Sequence, residues 1–107
     1  MPLRNSFSLI YAKPVKAHLA SIERKYHSLI RQQIEEQLLY EPDIETENRK
    51  PLIVPNTIEA TWEIRFGPNN RFRVFYTVSR TDSIVQILAI GVKKGSRLVC
   101  GHEEIEL

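Results

Sequence analysis

Apolar and polar residues alternate with period two from Trp62 to Tyr76, in the stretch WEIRFGPNNRFRVFY. Trp62, Ile64 and Phe66 fall on one face of a strand, Glu63 and Arg65 on the other. Gly67, Pro68, Asn69 and Asn70 predict a turn. Beyond it Phe72, Val74, Tyr76 and Val78 resume the alternation, with Arg71, Arg73 and Phe75 on the opposite face. A β-hairpin with one apolar side is expected. Two registers keep the faces matched, because a one-residue slip would put Phe72 and Val74 on the side of Arg65. One pairs Phe66 with Phe72 across a five-residue connection, setting Arg65 opposite Arg73 and Glu63 opposite Phe75. The other uses a three-residue connection and pairs Glu63 with Arg73. The second gains a cross-strand ion pair, whereas like charges placed opposite one another destabilise. The first implies an anion between two guanidinium groups held side by side.

The rest of the chain supplies the layer that this hairpin needs. Phe7, Leu9 and Tyr11 alternate with Ser6, Ser8, Ile10 and Ala12, which predicts a short strand over residues 6 to 12. Lys13-Pro14 closes it and can open a helix. From Val15 the period becomes helical: Leu19, Ile22, Tyr26, Leu29, Ile30, Ile34, Leu38 and Leu39 recur three or four apart. That stripe reads as core packing against a sheet, broken near Arg24 to Ser28 into two packed helices. His18 and His27 have no cysteine or carboxylate at metal spacing and read as surface or partly buried residues, with no metal site. Pro42 ends the helical pattern. Residues 41 to 58, with three prolines and mixed charge, read as an extended, surface-lying connection.

Thr81-Asp82-Ser83 predicts a turn. IVQILAIGV, Ile84 to Val92, is apolar at nearly every residue and reads as a central strand buried on both faces, ended or bent at Gly91. KKGSRL is basic and flexible, and VCGHEEIEL predicts a final short strand with Val99, Ile105 and Leu107 inward. The order is β, α, α, then antiparallel strands. It describes an α+β domain: a short N-terminal strand, then two helices packed on a twisted, mainly antiparallel sheet of four to five strands.

Size and charge narrow the function classes. A chain of 107 residues is expected to form a single domain around one core. Its 26% charged and 42% apolar residues are the proportions of a soluble globular protein. The net charge of +2 is unevenly spread: between residues 71 and 100, Arg71, Arg73, Arg80, Lys93, Lys94 and Arg97 face only Asp82. A basic block of this kind is the electrostatic footprint of a nucleic-acid or anion binder. Arg49 and Lys50 in the long connection add further candidate basic contacts. The single cysteine, Cys100, excludes an intramolecular disulfide and suits a reducing cytosol. The apolar run in MPLRNSFSLIYAKP is too short for a signal peptide or a membrane span. A cytoplasmic protein with no membrane partner is expected.

WEIRF at 62–66, RFRVFYTV at 71–78, VQILAIGVKK at 85–94 and RLVCGHEEIEL to the end carry a resemblance to the bacterial RelE/ParE superfamily, the toxin half of type II toxin–antitoxin pairs. Members have a tryptophan, acid, aliphatic, arginine strand, a tight turn, an arginine, valine, phenylalanine, tyrosine strand, and a last strand ending in glycine and basic residues. The element order agrees over essentially the entire chain, and the C-terminal half is the specific part. Two departures stand out. The connection from Gly67 to Arg71 is longer than usual, and Val99 or Cys100 stands where many members have a tyrosine.

The resemblance implies a RelE-like fold, a cognate antitoxin protein as partner, no cofactor, and Arg65 beside Arg73. The RelE-like branch is a metal-independent endoribonuclease. It inhibits translation by cutting mRNA on the ribosome, through attack of a ribose 2′-hydroxyl on the adjacent phosphate. Carried to this chain, Arg65 and Arg73 become a transition-state clamp, and Lys93, Lys94 and Arg97 become phosphate contacts, with Arg71, Arg49 and Lys50 as further RNA-binding candidates. Arginine stays protonated and is a poor general base. Proton transfer therefore falls to His102 or Glu63. Each also has a plainer reading: His102 precedes an acidic run and can be simply solvated, while Glu63 can serve only to neutralise an arginine. Cys100 reads as a small apolar residue of the last strand. The ParE-like branch has the same fold and poisons DNA gyrase without nuclease chemistry, and a non-catalytic RNA- or ribosome-binding module is a third class. The absent tyrosine favours these two; the paired arginines and the basic loop favour RNA cleavage.

Overall fold

Proline suits the first turn of a helix, where its missing N–H has no partner to lose, and the first helix begins at Pro14. The computed structural model describes residues 6–106. Among them the elements run β1 (Ser8–Tyr11), α1 (Pro14–Ala20), α2 (His27–Leu38), β2 (Arg49–Pro51), β3 (Trp62–Phe66), β4 (Phe72–Ser79), β5 (Ile84–Lys94), β6 (Arg97–Cys100) and β7 (Glu103–Ile105). The break in the apolar stripe lies where Ser21 closes α1, its N–H on Ala17 O and His18 O and its hydroxyl donating to His18 O at 2.7 Å. A 3-10 turn over Arg24–Tyr26 leads into α2, and His27 Nε2 donates to Ile22 O at 2.8 Å across the corner. Ile30, Ile34 and Leu38, one helical turn apart, give α2 its buried face.

That face covers one side of the sheet. Val15, Ile30, Ile34 and Leu38 from the helices and Ile22 from the connection between them meet Ile64, Phe66, Phe72, Val74, Tyr76, Val85, Ile87 and Ile90 from the strands. Trp62 packs at its margin. Each large side chain buried this way contributes about 1.5–3 kcal/mol. Tyr76 is fully buried, and its hydroxyl donates to Pro42 O at 2.6 Å. Burial pushes the pKa of that phenol well up. The bond also ties the end of the helical layer to the sheet.

The strands are ordered β2-β3-β4-β5-β6-β7, with β1 parallel to β5 and every other pairing antiparallel. β5 carries the architecture. Along one side it pairs with β4; along the other it pairs first with β1, up to Ile87, and then with β6, from Val92. Between these two partners the β5 edge is finished by a side chain from α1: Ile90 N–H donates to His18 Nδ1 at 3.2 Å. The register shift at Phe75/Tyr76 sets Phe75 opposite Ala89 and Tyr76 opposite Ile87, so Leu88 is the extra residue of a bulge.

The expected four to five strands are seven among the described residues, because the ends of the sheet carry short pairings that alternation alone does not reveal. The connection expected over 41 to 58 is extended, but it contains the edge strand β2, ending at Pro51 where a missing N–H is harmless. Residues beyond it, Leu52, Ile58 and Ala60, fold over the far face of the sheet and join Phe75, Leu88, Ala89, Leu98, Cys100 and Ile105 in a second, smaller apolar cluster. Only the middle of β5, from Ile87 to Val92, is therefore covered on both faces; Gln86 is exposed between buried Val85 and Ile87, and Lys93 and Lys94 are exposed at the end. Gly91 does not end the strand, which runs on to Lys94. It sits mid-strand, where a Cβ would stand 2.9 Å from both Cys100 Sγ and Leu98 Cδ1. The expected single last strand is a hairpin of β6 and β7. Leu98 and Cys100 are its buried residues, and Val99, expected inward with Ile105, is half-buried on the other face. Leu107 lies outside the described residues. No helix among them is long and apolar enough to cross a membrane.

Candidate nucleic-acid interface

The β3–β4 connection decides the site. It spans five residues, with a 3-10 turn at Pro68–Asn70 and left-handed backbone at Gly67, Asn69 and Asn70, residue types that tolerate positive φ. A Cβ on Gly67 would run into the Phe72 ring. This turn sets Phe66 opposite Phe72, Arg65 opposite Arg73 and Glu63 opposite Phe75, the first of the two registers. Arg65 and Arg73 are thus direct cross-strand neighbours on the face turned away from the helices.

The anion between them is the protein's own. Glu63 is 2% exposed; its Oε1 accepts from Arg65 Nε at 2.7 Å, and its Oε2 accepts from Arg73 Nη1 at 3.5 Å. A buried carboxylate is costly unless paired and hydrogen-bonded. The like charges opposite one another therefore share a countercharge rather than repel across the ladder. Arg73 Nε also donates to Asn70 O at 2.9 Å, so the turn backbone fixes its plane. The Arg73 side chain is 13% exposed and that of Arg65 42%. Two cations around one carboxylate leave a net positive charge. Arg65, the more exposed of the two, engages Glu63 through Nε and is of the residue type whose guanidinium suits phosphate.

The other candidate residues divide. Lys50 stands opposite Glu63 in the β2–β3 ladder, on the arginine face, with an exposed ion pair to Glu45 at 3.5 Å. Lys93, Lys94 and Arg97 are exposed on the β5–β6 hairpin, and Lys93 N–H donates to Arg71 O at 2.7 Å. Arg49 does not reach this surface. It is 6% exposed, and its guanidinium donates to Ile44 O at 2.8 Å, Gln37 O at 2.7 Å and Gln37 Oε1 at 3.3 Å, fastening the end of α2 to β2. Arg71 does not share the face of Arg73. Its backbone is helical, ending the 3-10 turn, and its guanidinium lies 4.8 Å over the Tyr26 ring on the helix side.

His102 is exposed in the β6–β7 turn and borders a cleft against α1 with His18, Ser21, Cys100 and Glu103. No hydrogen bond or ion pair among the described residues joins it to Glu63, Arg65 or Arg73. Burial pushes the Cys100 thiol up to about 11, reinforced by Glu103, so it stays protonated as a small apolar side chain. Burial holds the His18 imidazole below its usual value against the opposing charge of Glu103. The sequence pattern does not single out His18, Lys25 or Tyr26, because nothing in the spacing of a helical stripe says which polar residue at its break will meet a strand far along the chain. No group of three or more His, Cys, Asp or Glu among the described residues is placed to hold a metal ion.

A groove of about 640 Å³ opens on the other side of the molecule between β1 and the helices. Tyr11, Val15, Leu19, Ile30 and Ile34 line it, and Lys13, Lys16, Arg31 and Glu35 stand at its rim.

No family model and no curated protein matches the sequence. Among solved structures, the chain is similar to one described as the toxin–antitoxin complex RelBE2 from Mycobacterium tuberculosis, with a TM-score of 0.60 and 15% identity, over 82% of this chain and 99% of that chain. At that identity the likeness shows architecture. The fold of this chain, two helices on one face of a mainly antiparallel sheet with an N-terminal strand, is RelE-like.

Proposed function

We propose that the chain is the toxin component of a type II toxin–antitoxin pair and acts as a ribosome-dependent mRNA endoribonuclease. The observation that carries this reading is the pair Arg65 and Arg73, held as cross-strand neighbours on the open sheet face and locked by Glu63 and by the Asn70 carbonyl. In the reaction a ribose 2′-oxygen bonds to the adjacent phosphorus, the bond to the 5′-oxygen breaks, and a 2′,3′-cyclic phosphate and a 5′-hydroxyl result. Charge grows on the phosphoryl oxygens in the transition state, and preorganised guanidinium donors stabilise charge there at no reorganisation cost. Lys50, Lys93, Lys94 and Arg97 hold the flanking phosphates.

Glu63 is a positioning residue in this scheme: both its oxygens are engaged and it is buried. His102 borders a cleft against α1, and no hydrogen bond or ion pair among the described residues links it to the arginines. With no acid and base flanking the pair, much of the rate falls to the ribosome, which bends the message into an in-line geometry. The same placement of His102 is what favours the second reading, a gyrase poison or RNA-binding module that binds without cutting.

The partner in this reading is an antitoxin. The apolar groove along α1 and α2, with three cations and one carboxylate at its rim, suits an acidic amphipathic segment. Primer extension on ribosome-bound message tests the activity: cuts on translating ribosomes and few on naked RNA are expected. Intact message together with inhibited gyrase supercoiling moves the assignment to the second reading. Co-expression with the neighbouring reading frame should rescue growth and give a co-purifying complex.

A further inference from the structure

Four arginines among the described residues are buried or half-buried, and three of them have oxygen acceptors: Arg49 the carbonyls of Ile44 and Gln37, Arg65 and Arg73 the Glu63 carboxylate. Arg71 is the fourth. Its Nε is buried without a hydrogen-bond partner, and no carboxylate among the described residues pairs with its guanidinium. What holds it is aromatic. The guanidinium lies 4.8 Å from the Tyr26 centroid and 5.1 Å from that of Phe72, two rings packed 5.0 Å apart. Lys25 Nζ is also 5.2 Å from the Tyr26 centroid. Two cations are thus gathered on one ring by its quadrupole. Their nearby carboxylate, Glu23, reaches only Lys25, at 3.5 Å and in solvent.

We propose that Arg71 and Lys25, gathered on the Tyr26 ring, bind a phosphodiester group of RNA. They form a second phosphate subsite on the helix side of the sheet end, separate from Arg65 and Arg73 on the open face. The ligand class rests on the nuclease reading above. A guanidinium held against aromatic rings spends none of its charge on a carboxylate, and its packing leaves little freedom to lose on binding; with Nε buried, its outer nitrogens are the donors the subsite uses. Lys93 N–H on Arg71 O ties this corner to the β5–β6 hairpin, so cations continue from Arg73 past Lys93 to Arg71. A ligand that engages both sides of one sheet end must present anions at intervals along a chain, as a single-stranded RNA backbone does.

The test is fluorescence anisotropy with a labelled single-stranded RNA, from about 50 to 200 mM salt, on wild type, R71Q, K25Q and R73Q, each checked by thermal melt. Removing one cation that neutralises a phosphate should lower the slope of log K against log salt by about 0.7. R71Q and K25Q should each show that reduction, additive with R73Q. K25Q removes an exposed amine and leaves the packing intact, so it reads the subsite even where R71Q loosens the rings. Wild-type slopes in both R71Q and K25Q, with a reduced slope in R73Q, overturn the subsite and leave the nuclease reading standing. No RNA binding by the wild type at any salt overturns the subsite, and the nuclease reading is then decided separately by primer extension on ribosome-bound message. Arg71-dependent binding of poly-glutamate in that case assigns the corner to an acidic protein.

Discussion

Arg49 and Arg73 sit on the two strands that flank β3, and they differ in the face they serve. Arg49 is opposite Ile64, on the helix side, and divides its donors among the main-chain oxygens of Ile44 and Gln37 and the Gln37 side-chain oxygen, with the exposed Glu41 carboxylate 4.0 Å away. Carbonyls of the last helical turn lack intrahelical partners and lie at the negative end of the helix dipole, so a cation there completes the fold. Arg73 is opposite Arg65, on the open side, and shares a single carboxylate with it. Both side chains are largely buried, at 8% and 13% exposed. Their charge is the same; the acceptors differ. One arginine is used up by structure, whereas the other belongs to a cluster with positive charge to spare.

The comparison predicts opposite phenotypes. R73A should lower ribosome-dependent cleavage by about a hundredfold or more, the scale for removing one preorganised transition-state donor. R49M should leave the cleavage rate per folded molecule unchanged while lowering stability by about 2–3 kcal/mol, since it strands buried carbonyls. Single-turnover cleavage and urea midpoints measure the two. An R49M protein of wild-type stability that fails to cut breaks the comparison. A smaller effect sharpens it: E63Q weakens one charge-assisted bond worth about 1.5 kcal/mol, equivalent to roughly a tenfold loss of rate. As a positioning residue, Glu63 should leave the shape of the pH–rate profile unchanged when it becomes Gln. Loss of the acidic limb, with a drop of about 10²-fold or more, would make it a proton-transfer residue.

The hairpin was legible because its faces are unambiguous: Trp62, Ile64, Val74 and Tyr76 can only turn inward, and Arg65 and Arg73 outward. Alternation could not choose between the two registers, because the decision rests on how Gly67, Asn69 and Asn70 take left-handed backbone. Alternation misplaces Arg71 for the same reason, since the period-two pattern assumes strand geometry at a residue whose φ/ψ are helical. The central strand was legible as central, but not that Leu88 is a bulge or that Leu52 and Ile58 cover its middle at Leu88 and Ala89. The role of Arg49 was hidden because its shortest hydrogen bonds go to the main-chain oxygens of Ile44 and Gln37, which have no signature in the side-chain pattern.

The smallest expected effect concerns the one place among the described residues where β5 borrows a side chain as a strand partner. His18 Nδ1 can accept from Ile90 N–H only while it is unprotonated, with the proton on Nε2. Burial favours that neutral form, and Glu103 on β7 is the opposing charge. The folded-state pKa is therefore below the unfolded one. His18 then contributes stability that is complete above the unfolded value of 6.5 and is lost as pH falls through the depressed folded value. The Ile90 amide should be protected from hydrogen exchange at about pH 8 and lose protection toward about pH 5, beyond the intrinsic pH dependence of exchange and ahead of its neighbours on β4 and β5. H18Q offers an amide oxygen that accepts the same bond without titrating, so its Ile90 protection should be level across that range. Equal protection of Ile90 at both pH values in the wild type would show that the ladder of β5 closes without His18.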